Sequence, residues 1–145
     1  GRLFTAAKKA THFKELRTLY FHNCVYGRLY EDARFARPVR VRDVLGDCGP
    51  HYKLIVVGDA LMAPYELLQP GGALGLGDDD PVEGIVWLMT LADHFERSCW
   101  LNPEPERYWH GNTIEYVRRV FDMFPLTVDG LGAAVTHLTR GRRGR

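Results

Sequence analysis

KLIVVGDA, Lys53 to Ala60, sets four apolar residues in a row ahead of a glycine and an aspartate. A run this short, with no polar alternation, suits a strand whose sheet is covered by helices on both faces. Asp59 then stands at the strand's C-terminal end. In open α/β sheets, ligands bind in the crevice outside the carboxyl ends of the strands. The stretch therefore predicts an α/β fold and makes Asp59 the first candidate site residue.

The segments around it alternate between helical and extended patterns. Leu3, Ala6, Ala7, Ala10, Phe13 and Leu16 recur at helical spacing, with Lys8, Lys9 and Lys14 mostly on the other side, as in a helix covering a sheet. Thr18 to Tyr26 is aromatic and β-branched and reads as a strand, with Arg28 to Phe35 returning after Gly27 as an antiparallel edge strand. Pro38 to Asp47 reads as a helix with Val41, Val44 and Leu45 inward, ended by Gly46, Gly49 and Pro50. Ala63 to Pro81 carries PGG and DDDP and reads as a long loop. Val82 to Phe95 is expected to be a helix, Cys99 to Leu101 a strand, Asn102 to Gly111 a loop and Thr113 to Met123 a helix. Phe124 to Val128 then makes a last strand and Asp129 to Leu138 a closing helix. Such alternation predicts a doubly wound, mostly parallel sheet. Residues 1–139 form one domain in this reading, and the basic end, 140–145, a disordered tail.

Composition narrows the function classes. The chain of 145 residues, 46% hydrophobic, is long enough to build a core. It has no apolar run of membrane-spanning length and no secretory signal pattern. Cys24, Cys48 and Cys99 are odd in number and far apart, which fits a reducing, cytoplasmic setting better than a disulfide framework. The charge is uneven. Residues 1–53 hold eleven Lys/Arg against five Asp/Glu, residues 54–101 one against eight, and residues 102–145 seven against five. The basic first third lacks the interleaved aromatic and basic residues of a single-strand binder, so no nucleic-acid partner is expected.

Four blocks, FHNCVY, LIVVGDALMAPYEL, WLNPEP and MFPLTVDGL, resemble in that order the von Willebrand factor A domains of the bacterial CoxE-like group. The resemblance covers roughly residues 3 to 138. It implies a Rossmann-like sheet and a protein-binding, non-enzymatic role. Members usually accompany a MoxR-type AAA+ ATPase and serve the maturation or metal-cofactor assembly of a client enzyme. The family's metal-ion-dependent adhesion site joins a serine-containing motif after the first strand, a threonine from a second loop and an aspartate after the fourth strand.

Asp59 matches that aspartate, but the other parts are missing. The only serine is Ser98, and no threonine lies between Thr18 and Thr90. Mg²⁺ or another divalent cation wants about six oxygen ligands, so metal binding by this chain is expected to be weak or absent. The sequence reads as a relative lacking its first strand and first metal motif, either a fragment or a naturally shortened form. Strands around Phe21 and Val56 would then flank a gap, to be filled by another copy, a terminal segment or a partner strand.

His22 and Asn23, near the end of the Phe21 segment, and Asn102 and Glu104, after the WL strand, are further candidates for the crevice. The same residues also read as a satisfied strand and a proline-stiffened loop. Asp59 and Glu104 around a metal would make a small hydrolase, the alternative from another class. Met62, Tyr65, Leu67 and Leu68 read equally as a partner-binding patch or as core. The six histidines show no zinc spacing, GALGLG lacks the Lys and Ser/Thr of a phosphate loop, and Ser98 and Cys24 have no evident base.

Overall fold

The computed structural model describes residues 16–22, 24–62, 64–69 and 83–140. In chain order these form β1 (Arg28–Tyr30), β2 (Pro38–Arg40), α1 (Val41–Asp47), β3 (Lys53–Val57), α2 (Pro64–Leu68), α3 (Gly84–His94), β4 (Arg97–Asn102), a 3₁₀ turn (Glu106–Tyr108), α4 (Asn112–Val120), β5 (Met123–Pro125) and α5 (Val128–Thr139).

The apolar run of β3 pairs in parallel with β4, Val56 lying opposite Trp100, and β4 pairs in parallel with β5, Leu101 opposite Phe124. The order β3-β4-β5 follows the sequence, and each step is bridged by helices, as parallel neighbours require. Side chains alternate between the two faces. Val56 and Trp100 join a core with Val41, Leu67, Leu88, Leu91, Ile114 and Val117 from α1 to α4. Ile55, Val57, Cys99 and Leu101 point the other way, against Leu131, Ala134 and Leu138 of α5. Helices therefore cover both faces of a mixed α/β domain, which explains why KLIVV carries no polar alternation.

Upstream, β1 and β2 form an antiparallel hairpin with Leu29 opposite Val39. The expected strand over Arg28–Phe35 ends at Tyr30 because Asp32 closes a turn: its carboxylate accepts the N–H groups of Ala36 (3.0 Å) and Arg37 (2.8 Å). Those bonds, the one from Arg37 foremost, hold its carboxyl below the usual carboxylate range. The expected helix from Pro38 begins three residues later. Pro38 opens β2 instead, a strand position that asks for no N–H, and the Val41 N–H donates to Gly27 O at 3.0 Å.

The expected Thr18–Tyr26 strand reduces to one antiparallel bridge between Tyr20 and Tyr30, and Phe21 turns inward against Trp100 instead. Within the expected loop over 63–81, PYELL forms α2, with Pro64 at its first position, where the missing N–H costs nothing. The rest of that loop, apart from Gln69, the N-terminal helix before Leu16 and the tail beyond Arg140 lie outside the described residues. No helix among the described residues is long and apolar enough to cross a membrane.

Candidate functional site

The carboxyl ends of β3 and β4 are tied together by side chains that fold the backbone of one strand onto the next. Trp100, fully buried, donates its indole N–H to Gly58 O at 2.7 Å. Gly58 N–H in turn donates to Leu101 O at 3.1 Å, so the ladder runs one residue past β3. Asn102, the last residue of β4, is fully buried, and its amide is used at both ends. Nδ2 donates to Asp59 O (3.1 Å), and Oδ1 accepts the Glu104 N–H (2.9 Å). Glu104 O takes the indole N–H of Trp109 at 2.8 Å. Three side-chain donors thus fix the lip of the sheet.

Asp59 stands on that lip and is exposed. Its Oδ1 accepts the Leu61 N–H at 3.0 Å, and the residue between them, Ala60, has φ of 58°. A β-carbon in the left-handed region is held there only when its surroundings insist, and such positions gather at functional sites. Past the turn the chain alternates. Met62 and Leu67 go into the core, while Leu61 (58% exposed), Tyr65 (57%) and Leu68 remain on the surface. The Met62–Leu68 stretch, readable from sequence as core or as patch, is therefore both.

The sequence candidates fare unequally. Asp59, Asn102 and Glu104 are brought together, with the Asn102 amide bonded to the backbone of both others. Asn102 acts as a clamp, its donor and acceptor consumed inside the protein. His22 is exposed and sets its ring edge-on to Phe35 at 5.5 Å, beside the hairpin. Asn23 lies outside the described residues. His94 and His137 face backbone carbonyls, of Cys48 (2.7 Å) and Ser98 (3.1 Å), which gives both a structural duty. Cys24 is buried, and loss of hydration pushes its thiol up to about 11, so no nucleophile is available there at neutral pH.

The donor set does not fit a divalent cation. Among the described residues no three His, Cys, Asp or Glu side chains converge closely enough to hold a metal ion. Asp59 already spends one oxygen on Leu61, and the amide oxygen of Asn102 on Glu104.

Sequence reasoning missed the clamp itself. The available signal was an asparagine at the end of an otherwise apolar strand, directly before a proline: a polar side chain entering a buried position must find partners for both ends of its amide. Asn102→Leu matches the shape of the side chain and removes both bonds. It leaves Asp59 O and the Glu104 N–H unsatisfied, so a loss of about 2–4 kcal/mol is expected in urea denaturation. A loss below about 1 kcal/mol would show that the lip does not depend on this residue.

Neither family models nor curated proteins nor solved structures match this chain.

Proposed function

We infer that the chain is a protein-interaction module that receives its partner at the carboxyl ends of β3 and β4. One observation carries the reading: a clamped lip presents an exposed acid, Asp59, followed at once by Leu61 and Tyr65, each more than half exposed. Large apolar and aromatic side chains beside a charge are the material of binding hot spots. The backbone beneath them is fixed by Trp100 and Asn102, so little ordering entropy opposes association.

The resemblance of the four sequence blocks supplies the finer terms. The fold is then a doubly wound, von Willebrand factor A-like domain of the CoxE-like group, working without catalysis in the cytoplasm. The partner is a MoxR-type AAA+ ATPase, and the task is maturation or metal-cofactor assembly of a client enzyme. No observation favours the hydrolase alternative over this reading, because Glu104 meets the site through its backbone.

The test is a titration of the purified chain against a purified MoxR-type ATPase by interferometry. Tyr65→Ala is expected to weaken binding by about tenfold or more, the size of an aromatic hot spot, and Asp59→Ala by a similar factor. Neither side chain is buried, so both variants should keep the parent circular dichroism spectrum. Absence of binding by the parent chain, or binding unchanged in the double variant, would refute the proposal.

A further inference from the structure

β3 ends the sheet: its only strand partner among the described residues is β4. The ladder fixes which groups look outward. Gly58 N–H points to β4, and in a strand the backbone direction alternates residue by residue, so Val56 and Leu54 also face β4. Lys53, Ile55 and Val57 therefore turn their N–H and C=O groups away from it. Edges of this kind are usually blunted by proline, a bulge or several charges. Here the outward row carries two apolar residues and a single lysine, at its first position.

We propose that this edge is the interface of a homodimer, in which β3 pairs antiparallel with β3 of a second copy about a two-fold axis through Ile55. The register follows from the outward set. Ile55 faces Ile55 of the other copy, and Lys53 faces Val57. All three outward residues then fall at hydrogen-bonded positions, giving about six backbone bonds. The faces also match. Ile55 and Val57 extend the apolar layer under α5, and Leu54 meets Val56 on the opposite face.

Charge selects this orientation. Lys53 opens the strand and Asp59 follows its end by two residues, both exposed. They share the odd-numbered phase of the strand. An antiparallel pairing sets Lys53 of one copy diagonal to Asp59 of the other, twice per dimer, within reach of a long side chain. The two carboxyl-end lips then point to opposite ends of a six-stranded sheet, so each remains open to its own partner. The dimer does not depend on the partner-binding role inferred for the lip.

Sedimentation velocity of the full chain across micromolar concentrations tests it. A reversible monomer–dimer equilibrium is expected, with the Ile55 and Val57 amides gaining hydrogen-exchange protection as the dimer fills. Lys53→Glu, a change at an exposed position, sets two acids against each other at both ends and should raise the dissociation constant about tenfold or more. The Lys53→Glu/Asp59→Lys pair should restore dimerisation. A chain that stays monomeric overturns the proposal, as does a dimer indifferent to Lys53→Glu. Ile55 and Val57 amides protected equally in the monomer would also overturn it, since the edge would then be filled from within the chain.

Discussion

Gly130→Ala is expected to lower the melting temperature by about 6–12 °C, whereas Gly132→Ala, two residues along the same helix, should raise it slightly. Both glycines lie in α5 (Val128–Thr139), and propensity alone would favour alanine at each. Packing separates them. A β-carbon at Gly130 would overlap the carbonyl oxygen of Pro125 and come within 2.8 Å of its carbonyl carbon and Cγ. That carbonyl cannot retreat, because Pro125 ends β5 and its oxygen accepts the Thr127 N–H at 2.9 Å. Thr127 in turn caps α5 by accepting the Gly130 N–H on Oγ1 at 3.0 Å, so a shift of the helix start also breaks its cap. Overpacking against fixed backbone stands at the upper end of such costs, about 3 kcal/mol. Gly132 meets nothing within 4 Å, and alanine there removes unfolded-state freedom for a gain of about 0.5–1 kcal/mol. Melts of both variants by circular dichroism decide it: equal shifts would mean that α5 does not approach β5 as closely as described.

The contrast also shows which features were legible in the sequence. β3, α3, β4 and α5 were readable because their apolar residues follow one clear period and are bounded by turn residues, as in KLIVV before Gly58. The helix α2 was hidden because it shares its stretch with PGG and DDDP, which read as loop, while Pro64 at its first position is compatible with a helix start. The strand β2 was hidden because PVR has no period of its own and is extended only through its pairing with β1. At the lip, Asp59 could be chosen from its place after an apolar strand. The exposure of Leu61 and Tyr65 beside the burial of Met62 and Leu67 could not, since the left-handed turn at Ala60 resets the phase. Nor does a linear pattern reveal that Asn102 closes on Asp59, a contact 43 residues distant in sequence.

Trp100 joins the core to the lip, and its replacement should have the other large effect. It is fully buried, lies 5.6 Å centroid to centroid from Phe121, and meets Phe21 at 6.5 Å edge-to-face. Trp100→Ala removes those contacts and opens a cavity beneath β3, at a cost of about 3–5 kcal/mol. Against a total stability of roughly 5–15 kcal/mol, this takes about a fifth or more of what holds the domain together. With a urea slope of about 1–3 kcal/mol per molar, the midpoint should fall by about 2 M. Trp100→Phe separates packing from hydrogen bonding. It keeps an aromatic ring and deletes the N–H that satisfies Gly58 O, so a smaller loss of about 1–3 kcal/mol is expected. Because Gly58 precedes Asp59 directly, the phenylalanine variant should also loosen the turn that carries Asp59 and Leu61, seen as faster hydrogen exchange at the Leu61 amide. If Trp100→Phe leaves that amide as protected as in the parent, the indole bond does not position the lip. If Trp100→Ala costs less than about 1 kcal/mol, the ring is not the centre of this core.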